Sequence, residues 1–313
     1  MKVIFNPAAN NYQLGKERTK FMEKISQLSQ DYELVETQEP GQSRTIAKEI
    51  ALEKKHDIVV SAGGDGTAHN IIMGFFDSGI PITDFPKMAV LPAGTSNDFC
   101  KTIGVPLDLD EAIEVISGEN ISQTNTILCQ GDDQPSHHNI NLGQVGLLSA
   151  VSYGASVERE KPFFPFNIPP FSLLSRGPRR YTLIAIKYIL WKYSNIKTKM
   201  IIDNQEEREF DLTLFGFGVG KEMAHYPFCP HAELYGDTFA IALGKNISKL
   251  NKLRLIGQLK KGNYKNIELL EGKKVILELE EPISGDADGE CFAIKAAKFT
   301  FELQKKMIKV IVP

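Results

Sequence analysis

The segment that most limits what this chain can fold into is Ser61-Ala62-Gly63-Gly64-Asp65-Gly66-Thr67. It follows the apolar run Ile58-Val59-Val60 and precedes a helical pattern over residues 68–76. A buried strand therefore runs into a glycine-rich turn that opens a helix. Such a turn points consecutive backbone N–H groups at one place and adds the positive end of a helix dipole, which suits a phosphate. Glycine lets the backbone approach the anion closely. Asp65 is out of place in an anion cradle unless a cation or a transferable proton lies between it and the phosphate. The segment is read as a nucleotide-phosphate site with Asp65 on the metal or on the nucleophile; an ordinary strand–helix turn is the alternative.

The surrounding pattern supports the first reading. Strands are expected at 2–5, 32–37, 58–62 and 87–91, alternating with helices at 16–29, 43–55, 68–76 and 110–117. Ser43 is placed as a helix cap after the turn Pro40-Gly41-Gln42. Strands alternating with helices predict a parallel sheet covered on both faces, with ligands beyond the carboxyl ends of the strands. Asn6, Thr37, Gly63–Thr67 and Gly94–Asp98 all follow strands and should converge on one crevice. The stretch Pro92-Ala93-Gly94-Thr95-Ser96-Asn97-Asp98 has two readings. It is either a helix-capping turn, or Thr95 meets a phosphate while Asn97 or Asp98 meets the second substrate or a metal shell.

From about residue 126 the pattern changes to short strands separated by turns, at 126–129, 138–142, 199–202, 211–217, 239–243, 274–279 and 293–303. That predicts an antiparallel β-sandwich, with helical insertions at 179–193 and 248–260. The fold class is thus α/β plus all-β, with a parallel α/β domain over 1–125 and a sandwich domain over 126–313. Near the end, Gly285-Asp286-Ala287-Asp288-Gly289-Glu290 carries three carboxylates. It reads as a solvated hairpin turn. Alternatively, Asp288 and Glu290 lie on one side of an extended chain and form an acid/base pair facing the crevice.

Composition narrows the compartment and the partners. A chain of 313 residues with net charge −3 is not a nucleic-acid binder by charge. Cys100, Cys129, Cys229 and Cys291 form no CxxC pair, which speaks against structural zinc or a disulfide framework and for a reducing compartment. No signal peptide is read at the N-terminus, and the longest apolar stretch, residues 181–191, is too short to span a bilayer. A cytoplasmic protein is expected.

Three motifs together resemble one family. Gly63-Gly64-Asp65-Gly66-Thr67, then Leu91-Pro92-Ala93-Gly94-Thr95-Ser96-Asn97-Asp98-Phe99, then Asp288-Gly289-Glu290 occur in the order and spacing of the diacylglycerol kinase catalytic family. Asn6-Pro7, Asn141-Leu142-Gly143 with Gly146, and the closing Lys309-Val310-Ile311-Val312-Pro313 are similar to it as well. The first motif is shared with NAD kinases; the second is specific. The resemblance implies a phosphofructokinase-like ATP-binding domain, a β-sandwich domain and an active site between them. It implies ATP against Asn6 to Asn10, Thr37, Gly63 to His69 and Thr95, with Gly63, Gly64, Asp65, Gly66 and Thr67 as the phosphate loop. It implies Asp65, Asp288 and Glu290 as the acidic set, with Glu290 or Asp288 as the base. Mg²⁺ would bridge Asp65 to the phosphates, and a lipid primary hydroxyl would be the acceptor.

The chain departs from the family pattern at several positions. Asn70 stands where a Glu is usual, and Lys221-Glu222-Met223-Ala224 replaces a Gly-rich stretch. Gly236-Asp237 inverts the usual Asp-Gly, which leaves Asp237 a weak candidate for a structural Mg²⁺. Ala8-Ala9-Asn10-Asn11 replaces a Gly-rich continuation. Residues 245–265 carry seven Lys or Arg and no acid, and the proline-broken aromatic stretch 161–171 offers a lipid-facing lip. Both predict peripheral contact with the inner membrane face. A sandwich edge could pair two subunits. A kinase of another hydroxylated substrate such as NAD, or a non-catalytic nucleotide- or lipid-binding relative, is the competing reading.

Overall fold

The computed structural model describes residues 1–10, 13–26, 32–160, 178–223, 226–259 and 261–313. The first part of the chain alternates as expected: β1 (Lys2–Phe5), α1 (Gln13–Lys16), α2 (Arg18–Ile25), β2 (Glu33–Glu36), α3 (Gln42–Glu53), β3 (Ile58–Gly63), α4 (Asp65–Asp77), β4 (Lys87–Pro92), α5 (Asp98–Ile103) and α6 (Leu109–Gly118). The four strands pair in parallel in the order β2-β1-β3-β4. Every residue of β3 is buried, as a central strand covered on both faces must be. Two local expectations are corrected. The helix expected at 16–29 is two short helices, with residues 27–31 outside the described residues. Ser43 does not cap α3: the N-cap is Gly41 in the left-handed region (φ 80°), and Ser43 is buried within the helix.

The rest is antiparallel: β5 (Ile121–Gly131), β6 (His137–Asn139), β7 (Leu142–Gly146), α7 (Leu147–Glu160), α8 (Pro178–Lys187), a π-turn (Tyr188–Lys192), β8 (Ile196–Ile202), β9 (Glu206–Gly218), β10 (Glu222–Met223), β11 (Tyr226–Pro227), β12 (Phe239–Lys245), α9 (Lys249–Leu259), β13 (Glu268–Gly272), β14 (Lys274–Ala287) and β15 (Glu290–Ile311). Hydrogen bonds run through β13-β12-β9-β7-β14-β15 and then into β4, because the end of β15 lies parallel to it at Val310↔Met88. The long β15 also pairs with β5 along most of its length. Parallel and antiparallel strands therefore share one hydrogen-bonded sheet path. An aromatic core of Phe215, Phe217, Phe299 and Phe301 fills the antiparallel part, with Phe217 and Phe301 ring centroids 4.3 Å apart. No helix among the described residues is long and apolar enough to cross a membrane.

Helix α7 was not expected from the sequence. Its first turns, Leu-Leu-Ser-Ala-Val-Ser-Tyr-Gly, interleave good helix formers with Ser, Val, Tyr and Gly and carry no charge to mark a solvent face, so propensity is mixed and pattern is absent. The single strand expected at 138–142 is instead β6 and β7. The backbone between them is diverted to bind Asp288, as described next. The proline-broken stretch 161–171 lies outside the described residues.

Candidate active site

The glycine turn is tighter than its sequence suggests. Gly63 ends β3, Gly64 is the N-cap of α4 in extended conformation, and Asp65 is already the first helical residue. The N–H groups of this first turn are the donors that a helix leaves without an intrahelical partner, and a carboxylate there is favoured by the dipole. The second loop packs directly on the first. A Cβ on Gly94 would lie 2.4 Å from the Gly64 Cα, and one on Gly64 would lie 3.2 Å from the Gly94 Cα. Glycine is needed at 94 because two backbones touch. Gly94→Ala should force the loops apart, lowering stability by about 1–3 kcal/mol as overpacking does. A lower urea midpoint is the expected result.

Several predicted residues assemble around these loops. Asn6 Nδ2 donates to Thr67 Oγ1 (2.9 Å), and its Oδ1 accepts from the Ala8 N–H (3.0 Å). Thr95 Oγ1 reaches Asn10 Oδ1 (3.3 Å) at the exposed rim. Thr37 is buried at the end of β2, its N–H donating to the Phe5 carbonyl (2.9 Å). From the antiparallel side, Glu290 stands over the first turn of α4: a Cβ on Gly66 would be 4.0 Å from Glu290 Oε1. Glu290 is exposed, and its charge reaches Arg44 on α3, which is held in a bidentate pair by Asp77.

Asp65 Oδ1 accepts from the Phe99 N–H at 2.9 Å, which ties the start of α4 to the start of α5. Asp65, Asp98 and Asp288 line one small cavity of about 40 Å³ beside Ile140, Asn141 and Met223. Burial above all, and then the Asp98 and Asp288 charges, push the Asp65 carboxyl up, against the Phe99 N–H that holds it down. Asp98 is buried and paired with Lys101 (2.9 Å), which also approaches Glu222 (3.7 Å). Among the described residues, no three His, Cys, Asp or Glu side chains group closely enough to hold a metal ion by themselves. The donor chemistry around Asp65 is carboxylate oxygen. That suits Mg²⁺, which takes one or two protein carboxylates and completes its shell with phosphate and water.

Four expectations need correction. Asp288 and Glu290 do not lie along an extended strand. Asp288 and Gly289 are the two central residues of the β14–β15 hairpin, with φ of 55° and 88°, and Ala287 pairs with Glu290 across them. Asp288 points inward and its oxygens are saturated. Oδ1 accepts from Asn139 Nδ2 (2.9 Å), Asn141 N (2.9 Å) and Leu142 N (3.1 Å), while Oδ2 accepts from Ile140 N (2.8 Å) and His69 Nδ1 (2.8 Å). These bonds tie the hairpin to α4 and to the backbone between β6 and β7. His69 is likewise removed from the crevice face. Its side chain is buried at 1% exposure between Asp288 and His137, whose Nε2 lies 2.7 Å from His69 Nε2. With His69 Nδ1–H on the carboxylate, His137 Nε2–H is the donor in that contact. Burial, and then the neighbouring His69, push His137 down to about 3.

The third correction concerns Asn97. It is the N-cap of α5 at φ 50°, and its side chain folds back on Gly94, accepting from its N–H (2.8 Å) and donating to its carbonyl (3.2 Å). It shapes the loop that Gly64 touches. The fourth is Asp237, an exposed residue ion-paired with Lys305, which holds its carboxyl below the usual range. Asn70, the departure in the first motif, donates Nδ2 to the Gly66 carbonyl (2.9 Å) within α4. It thus braces the turn over which Glu290 stands.

Sequence reasoning missed His137 and Arg44 in this region, and it counted Asp286 among three carboxylates without giving it a place. Asp286 is buried on β14, accepting from Ser152 Oγ on α7 (3.1 Å) and from the Gly289 N–H (3.0 Å). Burial pushes it up to about 7, so its neutral form is the one the fold prefers. A carboxyl raised above its unfolded value adds stability that is present in full below about pH 4 and is lost as pH rises through 7. Asp286→Asn should therefore match the wild type at pH 4 and exceed it at pH 8.5. Urea midpoints measured at the two pH values, taken as variant minus wild type, cancel the opposite contribution of the depressed histidines.

Residues 1–129 match the sequence model of the diacylglycerol kinase catalytic domain. Diacylglycerol kinase of Staphylococcus aureus (strain bovine RF122 / ET3-1) is 26% identical over 165 residues, covering 53% of this chain and 49% of the relative. Diacylglycerol kinase of Bacillus subtilis (strain 168) is 28% identical over 158 residues, 49% and 47% of the two chains. The chain thus matches about half the length of these curated relatives. The structure of a putative diacylglycerol kinase from Bacillus anthracis str. Sterne superposes with a TM-score of 0.73 at 22% identity, covering 100% of this chain and 96% of that one. The resemblance carried by the motifs is borne out over residues 1–129, and the fold of the whole chain is that of these kinases, mixed α/β with an extensive sheet.

Proposed function

We propose that this chain is an ATP- and Mg²⁺-dependent lipid kinase that phosphorylates the primary hydroxyl of a diacylglycerol-like lipid. The observation that carries the reading is the meeting of two glycine loops by backbone contact at Gly64 and Gly94, with Asp65 beneath them and Glu290 above. Residues 1–125 are the ATP-binding domain and 126–313 the sandwich domain that brings in the lipid, at the inner face of the cytoplasmic membrane. The first turn of α4 and the Gly94–Thr95 loop hold the nucleotide phosphates. A bound Mg²⁺ supplies charge neutralisation there, through Asp65 with Asp98 nearby. Glu290 takes the proton from the acceptor hydroxyl, and its exposure at the mouth of the crevice leaves room for that hydroxyl. Asp288 and His69 hold the hairpin and α4 together so that Glu290 stays over the phosphate loop. Most of the rate comes from positioning and electrostatics.

The test offers the protein γ-labelled ATP with Mg²⁺ and either dispersed diacylglycerol or NAD. Label in an organic-soluble phosphate monoester is expected. Label in NAD, or in neither acceptor, overturns the proposal.

A further inference from the structure

The chain's single tryptophan is among its most exposed apolar side chains. Trp191 is 76% exposed on the π-turn, while Ile189 and Tyr193 on either side of it are buried. Leu250 on α9 is 59% exposed. The two elements are joined: Lys249 Nζ donates to the Leu190 carbonyl (3.2 Å), and the Lys252 ammonium lies 5.0 Å from the centre of the Tyr193 ring. The π-turn and α9 pack on each other, and Trp191 and Leu250 are the large apolar side chains that these two packed elements leave exposed. The two segments that carry them are charged with one sign. Residues 178–202 contain no Asp or Glu, and neither do residues 245–265. Lys192, Lys249 and Arg254 are exposed around the apolar pair. Exposed apolar side chains on packed elements, rimmed by charge, are the pattern of an interaction site.

We propose that Trp191 and Leu250, ringed by Lys192, Lys249 and Arg254, are a docking surface for an anionic phospholipid bilayer. The indole is an amphipathic ring suited to the headgroup level, leucine enters the acyl boundary, and the basic rim meets the anionic headgroups. The surface is also linked to the site. Helix α8 packs on α7, α7 packs on β14, and Ser152 of α7 bonds Asp286 at the base of the hairpin that carries Glu290. A kinase docked this way holds its acceptor side against the sheet of lipid from which the substrate comes. That purpose rests on the lipid-kinase reading, but the docking itself does not.

The binding measurement therefore uses no ATP, and turnover with ATP is assayed separately. The protein is titrated with vesicles of phosphatidylcholine alone or mixed with phosphatidylglycerol, while tryptophan emission and flotation are followed. A blue shift and co-flotation with the anionic vesicles only are expected, since one fluorophore reports the proposed contact directly. Charge reversal by Lys192→Glu with Arg254→Glu keeps the fluorophore and should weaken partitioning about tenfold or more. Trp191→Ala should float less than the wild type, with unchanged thermal unfolding and unchanged turnover of detergent-dispersed substrate. The proposal is overturned if anionic vesicles neither shift the emission nor float the protein, or if the charge-reversed variant partitions like the wild type. Vesicle binding without phosphate transfer would sustain the surface and remove the kinase reading.

Discussion

Asp288→Ala should cost about 3–5 kcal/mol of folding stability, the range for removing one partner of a buried charged network. The carboxylate is 4% exposed and collects five donors from three parts of the chain: His69 on α4, the Asn139 side chain on β6, and the backbone of Ile140, Asn141 and Leu142. Without it those N–H groups are buried with nothing to accept them, and each such loss is expensive. The hairpin would also lose its tie to α4, so the few variant molecules that fold should position Glu290 badly. Urea unfolding followed by far-UV dichroism measures the loss. Glu290→Ala, two residues away at an exposed position, should change stability by no more than about 0.5 kcal/mol. Equal stability losses in the two variants would contradict the division of roles drawn here within Asp288-Gly289-Glu290.

The second large effect is catalytic and falls on the other partner. Glu290→Gln keeps shape and hydrogen bonding but cannot accept a proton, so kcat should fall about 10²–10⁴-fold, the usual contribution of a positioned general base. KM for ATP should change little, because the loops that would hold the phosphates do not depend on Glu290 for their hydrogen bonds. Asp65→Ala should produce a comparable fall in kcat. There the cause is lost charge neutralisation, so excess Mg²⁺ should recover part of the rate only when an acid remains, as in Asp65→Glu. Steady-state kinetics over a range of Mg²⁺ concentrations separate the two causes.

The parallel part of the fold was legible because its signals are local. An unbroken apolar strand, a glycine turn and a helix succeed one another within residues 58–77, and the same order repeats along the chain. Of the two readings of Asp288 and Glu290, the hairpin turn is the one the structure adopts, and the extended-chain reading failed for a physical reason. Alternation applies to extended backbone, and the two-residue turn at Asp288-Gly289 reverses direction between them. The Asp-Gly pair announced that turn, and a carboxylate at a left-handed position inside a tight hairpin can turn inward. The His69–Asp288–His137 network has no local signature at all, since its members come from three elements far apart in sequence. Asn70 was visible as a departure, but its bond to the Gly66 carbonyl follows only from the helix starting as early as Asp65. Helix α7 was hidden by mixed propensity and by first turns without a charged residue to mark a solvent face. Gly94 was legible as a turn residue, whereas its contact with the Gly64 backbone could be seen only once both loops were in place.

The central claim is that Asp65 and Glu290, brought together from the two halves of the sheet, perform phosphoryl transfer to a lipid hydroxyl. The most direct measurement is transfer of labelled phosphate from ATP to a panel of dispersed lipids by the wild type, Asp65→Ala and Glu290→Ala, all first checked for folding. The account predicts a labelled lipid phosphate with the wild type and at least a hundredfold less with either variant, on the order of the loss from removing a base or a charge-neutralising ligand. Equal signal in all three proteins would contradict it.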